Sequence, residues 1–128
     1  MCIRDRSFNA ILKDEHIRPG THLACMGTDT TGKQEVDAAI LARASVFTDE
    51  VAQSVSLGEA QHAVKAGLIT QDDITTIGAV IEGTAPGRTS DDQITLFDGT
   101  GVGLQDLAVA DAALNAAIEN GIAIEVDF

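Results

Sequence analysis

An α/β architecture built on parallel strands is the fold class this sequence predicts, and three observations carry it. Leu23-Ala24-Cys25-Met26 is apolar without alternation, as a strand covered on both faces should be. A polar loop bounded by glycines, a short apolar helix and a second short strand follow it, which together make one crossover unit with parallel strands. Near the other end, Gln93 to Asp98 has strand composition and exits through Gly99-Thr100-Gly101-Val102-Gly103 into a long helical stretch.

The elements follow in order. Phe8 to His16 carries no clear period, and Arg18-Pro19-Gly20 is a turn signal. Thr21 to Met26 reads as the first strand and Gly27 to Lys33 as the loop after it. Asp37 to Ala44 reads as a helix with Ile40 and Leu41 on one side, and Ser45 to Thr48 as the second strand. Two short helices are expected at Leu57 to Ala66 and Gln71 to Ile77, stopped by Gly67 and Gly78. Gly83 to Asp92, containing Pro86-Gly87-Arg88, is the longest polar connection. The helix Leu104 to Asn120 places Leu104, Leu107, Leu114 and Ile118 on one side, and its many alanines permit close approach of another element. Ile122 to Phe128 alternates like a strand.

Composition narrows the function. With 128 residues and 45% hydrophobic content there is material for one core, which excludes collagen, disordered tails and disulfide miniproteins. Eight basic against twenty acidic residues give a net charge of −12, which repels a phosphate backbone, so nucleic acid is excluded as a partner. No apolar run approaches the roughly 20 residues of a membrane span, and Asp5 and Arg6 interrupt any secretory signal. A soluble cytoplasmic protein that does not engage membranes is expected. The first six residues, Met1 to Arg6, resemble the translation of a transposase end sequence used in sequencing-library adapters. They are expected to be foreign to the fold, with the native chain starting near Ser7 and continuing upstream of it. Without them the charge becomes −13, from six basic and nineteen acidic residues.

Two segments could carry chemistry. Gly27 to Lys33 follows a predicted parallel strand, where open α/β sheets place ligands. Gly27 lets a ligand approach the backbone, Asp29 offers a carboxylate for acid/base work, and Lys33 supplies a cation. Gly27 and Gly32 have the spacing of a phosphate loop, but Gln34 stands where that pattern needs a hydroxyl. Spacing alone favours an ordinary turn with Asp29 or Thr31 capping the following helix. Asp98-Gly99-Thr100-Gly101 is again a strand exit leading to a helix; an anion site and a tight turn capped by Thr100 stand level there. His16, His22 and His62 show no ligand spacing, so no metal is expected, and Cys25 reads as an inert buried thiol. Asp72-Asp73 and Asp91-Asp92 read as solvated turns, and Glu59, after Gly58, as a capping or helix-dipole carboxylate at a helix start.

Taken together, several of these motifs resemble those of a known family. Arg18-Pro19-Gly20-Thr21-His22, Met26-Gly27-Thr28-Asp29, Gly32-Lys33-Gln34-Glu35-Val36, Gly58-Glu59, Gly87-Arg88, Thr95-Leu96-Phe97-Asp98-Gly99-Thr100-Gly101 and Asp106-Leu107-Ala108 resemble the ornithine cyclodeaminase and mu-crystallin family in order and spacing. The resemblance covers nearly all residues after Arg6. It implies a partial Rossmann-like parallel sheet, its later half, with residues 7–98 as the C-terminal part of an NAD(P)-binding domain. Residues 99–128 would be a returning segment whose long helix packs on a dimerisation domain outside this chain. On family and domain size the sequence would be about two-fifths of a larger homodimeric enzyme.

The same resemblance implies hydride transfer between NAD or NADP and the carbon of an imine or amine next to a carboxylate, on a small amino-acid or imino-acid substrate. Asp29 would be the acid/base residue at the substrate nitrogen. Met26, Gly27, Thr28 and Lys33 match positions contacting the dinucleotide, and Gly99 and Thr100 match the loop closing over nicotinamide and substrate. Glycine at 99 stands where serine is usual, which removes one hydroxyl contact with the cofactor. The wording of both loops looks more like the iminosuccinate-reductase type than the ornithine type. An ornithine cyclodeaminase and a noncatalytic NAD(P)H-binding protein of mu-crystallin type are the alternatives, and Asp29 favours an enzyme.

Overall fold

The structure is a computed structural model that describes residues 7–126. The adapter-like residues 1–6 lie outside the described residues, as do Asp127 and Phe128 at the end of the expected terminal strand. Four strands form one parallel sheet: β1 (His22–Cys25), β2 (Ser45–Thr48), β3 (Ile74–Thr76) and β4 (Thr95–Asp98), in the order β1-β4-β2-β3. The last strand in sequence is inserted between the first two, so Leu96 lies opposite Leu23 of β1 and Val46 of β2. The crossover unit read from sequence is therefore parallel, but its two strands are not neighbours.

Five helices accompany the sheet among the described residues: α1 (Ala38–Leu41), α2 (Val51–Ser56), α3 (Ala60–Lys65), α4 (Ile77–Ile81) and α5 (Gly103–Glu119). The cap of α1 is Asp37, whose carboxylate accepts from the Ala39 amide at 3.1 Å; Asp29 and Thr31 lie too far upstream to cap it. Glu50 does the same for α2 through the Ala52 amide. That helix was not expected from sequence. The stretch read as a helix from Leu57 instead breaks at Leu57-Gly58, and α3 starts only at Ala60. Gly67, with φ +69°, ends it as read.

Gln71 to Ile77 is not a helix. Gln71–Asp73 forms a 3₁₀ turn closed by Asp73 on the Thr70 amide at 2.7 Å, and Ile74-Thr75-Thr76 then joins the sheet beside Val46-Phe47-Thr48. Three successive β-branched side chains favour extended backbone, and α4 then runs through Gly78 rather than ending there. Ile122 to Val126 is irregular, because alternation alone makes no strand without a partner edge.

Ile40, Leu41 and Leu96 are fully buried and form one cluster with Cys25, Val46, Ala60, Ala63, Ile74 and Ile94. Outside it, α5 buries none of its residues: Leu104, Leu107, Leu114 and Ile118 are 56–70% exposed. No helix among the described residues is long and apolar enough to cross a membrane. Leu96→Ala in the 128-residue chain should lower stability by about 2–5 kcal/mol in urea denaturation, whereas Leu114→Ala should change it by less than about 0.5 kcal/mol. Equal losses would contradict this placement of the core.

Candidate functional site

Parallel pairing puts the carboxyl ends of all four strands on one edge of the sheet, and both candidate loops leave from it. Met26-Gly27-Thr28-Asp29 continues β1, and Gly99-Thr100-Gly101 continues the adjacent β4. They are joined directly: the Gly99 amide donates to the Cys25 carbonyl at 2.8 Å. A Cβ at Gly99 would overlap the Met26 thioether and stand 3.2 Å from the Phe97 ring, so glycine lets Met26 lie across the exit of β4. Lys33 donates to the Asp29 carboxylate one helical turn's distance back in sequence, and the Thr30 hydroxyl donates to it at 3.1 Å. All seven sequence candidates therefore sit on this edge. Thr28 is the inward one, with its side chain 2% exposed, while Asp29 and Met26 face solvent.

Three carboxylates given no individual role in the site by sequence reasoning, Asp98 of the second candidate segment among them, support these loops. Glu59, 1% exposed, accepts from the Thr28 hydroxyl, from the Glu35 amide at 2.7 Å and from the Val36 amide at 3.3 Å. It makes no side-chain cap for its own helix, which corrects the capping role read from sequence. Asp98, fully buried, accepts from the Ser54 hydroxyl at 2.5 Å and the Ala60 amide at 3.4 Å, and its Oδ1 has no hydrogen-bond partner among the described residues. A Cβ at Gly58 would stand 2.9 Å from the Ser54 Cα and against the Asp98 carboxylate, so only glycine admits this close approach. Asp49, just past β2, accepts from the Thr100 amide at 3.0 Å, the Thr100 hydroxyl at 2.6 Å and the Gly101 amide at 2.9 Å. Thr100 accordingly does not cap α5, which begins three residues later behind Val102.

The first turn of α3 completes the support of the β1 loop. Gln61 accepts from the Gly32 amide at 2.7 Å, and the His62 ring meets the Lys33 carbonyl at 2.7 Å. The Gly27 amide donates to Glu35 at 3.2 Å. Asp49 could have been found by the rule that selected Asp29, since it too follows a strand read from sequence. Nothing local in the sequence signals the inward role of Glu59.

These environments shift the carboxyls in different directions. Burial pushes Asp98 above the ordinary carboxylate value against the opposing hydrogen bonds of Ser54, Glu59 and Ala60, and the Asp49 charge adds to the rise. Glu59 is likewise pushed up by burial, opposed by Thr28, Glu35 and Val36. Asp49 goes down: partial burial works against it, but the donors of Thr100, Gly101 and Glu50 prevail. The Cys25 thiol is pushed far up by burial and by the Glu59, Glu35 and Asp98 charges, leaving it an un-ionised, poor nucleophile. No cluster of three or more His, Cys, Asp or Glu placed to hold a metal ion occurs among the described residues.

Comparison with known proteins adds the following. The sequence pattern of the ornithine cyclodeaminase/mu-crystallin family matches residues 1–120. The iminosuccinate reductase of Paracoccus denitrificans is 59% identical over 121 residues, which are 94% of this chain and 38% of that protein. The crystal structure of that reductase in complex with NAD+ superposes with a TM-score of 0.88 at 57% identity, over 97% of this chain and 38% of that one. An archaeal alanine dehydrogenase dimer with bound NAD superposes with a TM-score of 0.85 at 39% identity, over 96% and 39%. The chain thus spans a little over a third of the length of these relatives.

A raised folded pKa means that Asp98 contributes stability below the ordinary carboxylate value of about 4 and that this contribution is lost as pH rises through the raised value. Asp98→Asn should therefore flatten the fall in denaturation midpoint as pH rises above the ordinary carboxylate value of about 4, whatever its effect on absolute stability. An unchanged slope would remove Asp98 as a source of that dependence.

Proposed function

This chain belongs to the ornithine cyclodeaminase/mu-crystallin family, and from that premise we propose that residues 7–126 are the C-terminal part of a nicotinamide-dependent oxidoreductase acting on an imine or amine next to a carboxylate. In this reading residues 7–98 complete a dinucleotide-binding sheet begun upstream. The exposed apolar side of α5 packs on a second domain through which two copies associate. The observation that carries it is the junction of the two loops: Asp29 with its Lys33 partner on one, Thr100 on the other, tied through Gly99 to Cys25. The likeness to an NAD+-bound iminosuccinate reductase supports NAD as the cofactor and an iminodicarboxylate as the substrate.

The residues present fit the nicotinamide end of such a cofactor. Met26 offers an exposed thioether at the edge, the Gly27 backbone is partly accessible, and the position a Cβ would take at Gly101 has no atom within 4 Å. Thr28, with its hydroxyl turned inward to Glu59, contributes main chain. A nicotinamide held by these residues would supply hydride exchange with the substrate carbon. As the carbon gains hydride, the attached nitrogen changes from iminium to amine. A carboxylate within hydrogen-bond reach stabilises the cationic form and takes or returns a proton at that nitrogen, and the exposed Asp29 is placed for this. Lys33 balances the Asp29 charge until a cationic nitrogen arrives.

In the full-length protein carrying these residues, Asp29→Asn should lower kcat for NADH-dependent reduction of iminosuccinate by about 100- to 10,000-fold while leaving NADH binding, followed by cofactor fluorescence, nearly unchanged. Undiminished turnover would remove Asp29 from the chemistry.

A further inference from the structure

We infer that Glu59 is a positioning residue for this reaction: its buried carboxylate sets where Asp29 stands, by gripping Thr28 on one side of the loop and the Glu35–Val36 backbone on the other. The inference rests on the role of Asp29 proposed above. Asp29 is exposed, and Lys33 and Thr30 of the same loop donate to its carboxylate. The segment from Ser7 to Leu12 bonds the far end of the loop at Gln34 and Glu35, and the amino-terminal turn of α3 fixes the rest of it to the body of the protein. Gln61 and His62 hold Gly32 and Lys33 at its partly exposed rim, and Glu59 holds its base, next to the residue whose direction matters most.

The chemistry of the contact explains why a carboxylate stands there. Thr28 O–H, Glu35 N–H and Val36 N–H converge on its two oxygens, and a carboxylate presents acceptors only. Glutamine, equal in size, would turn an N–H2 group toward at least one of these donors. No Lys, Arg or His among the described residues partners Glu59, and a buried anion compensated by neutral donors opposes folding. Geometry is what it supplies. The α3 turn is itself pinned by Asp98 to the end of β4, the strand that continues into Gly99 and Thr100. Glu59 therefore transmits the position of the β4 exit to Asp29, so that the two loops keep one spacing across the nicotinamide and substrate.

The test is a double-mutant cycle in the full-length protein, read as kcat for imine reduction beside the dissociation constant for NADH. Glu59→Gln and Thr28→Val should each lower kcat by about 10- to 100-fold, a larger factor than any change in the NADH dissociation constant. The double variant should be no slower than the worse single one, because both remove the same link. Thr28→Ser, which keeps the hydroxyl, should recover most of the loss seen in Thr28→Val. Multiplying losses in the double variant, or wild-type turnover in Glu59→Gln, would overturn the positioning role. Absence of imine reduction in the wild type would instead refute the proposed function. The link is then judged by amide exchange, where Glu59→Gln should strip protection from Glu35 and Val36 and unchanged protection overturns it.

Discussion

The amino-terminal turn of α3 stands between two buried carboxylates, and it links the end of β4 to the loop after β1. Asp98 reaches it from the end of β4, and Glu59 reaches from it into the loop after β1. Neither carboxylate has a cationic partner among the described residues; Glu59 and the Oδ2 of Asp98 are met by hydroxyls and backbone amides. Such contacts are short-ranged and directional, which suits them to fixing distances more than to adding stability. Gly58 is part of the same constraint, since any side chain there would meet Asp98 and the Ser54 backbone.

The acidity of the chain has a second meaning in this light. Part of the net charge of −12 sits on carboxylates that hold the backbone in place. Asp37 and Glu50 cap α1 and α2, Asp73 closes the turn before β3, and Asp49 gathers the Thr100 and Gly101 amides. Each supplies acceptors to backbone amides that a helix start or an irregular loop leaves unpaired. The lowered value of Asp49 and the raised values of Glu59 and Asp98 follow from how much burial accompanies those donors.

Where neighbouring residues alone decide the conformation, the fold was legible in the sequence. Ser45 to Thr48 forms a strand over the very residues read for it, and the long helix runs from Gly103 to Glu119 against an expected Leu104 to Asn120. Ile74 to Thr76 was missed because its three residues have no length of period to show; their pairing with β2 makes them a strand. The insertion of β4 between β1 and β2 is likewise a tertiary choice with no local signal. The site divides in the same way. Glycines and a carboxylate after apolar strands marked Gly27, Asp29 and Gly99, whereas Glu59 looked like a helix cap because its partners at Thr28 and Glu35 are distant in sequence. Its burial, and that of Asp98, is decided by the packing of α3 against the sheet edge.

The most direct measurement is a crystal structure of the full-length protein with NAD+ and the amino dicarboxylate product. The nicotinamide ring should lie between the Met26–Asp29 and Gly99–Gly101 loops, with an Asp29 carboxylate oxygen about 3 Å from the substrate nitrogen and the Glu59 contacts to Thr28, Glu35 and Val36 intact. A ring bound away from this edge, or an amino group met by a different carboxylate, would contradict it.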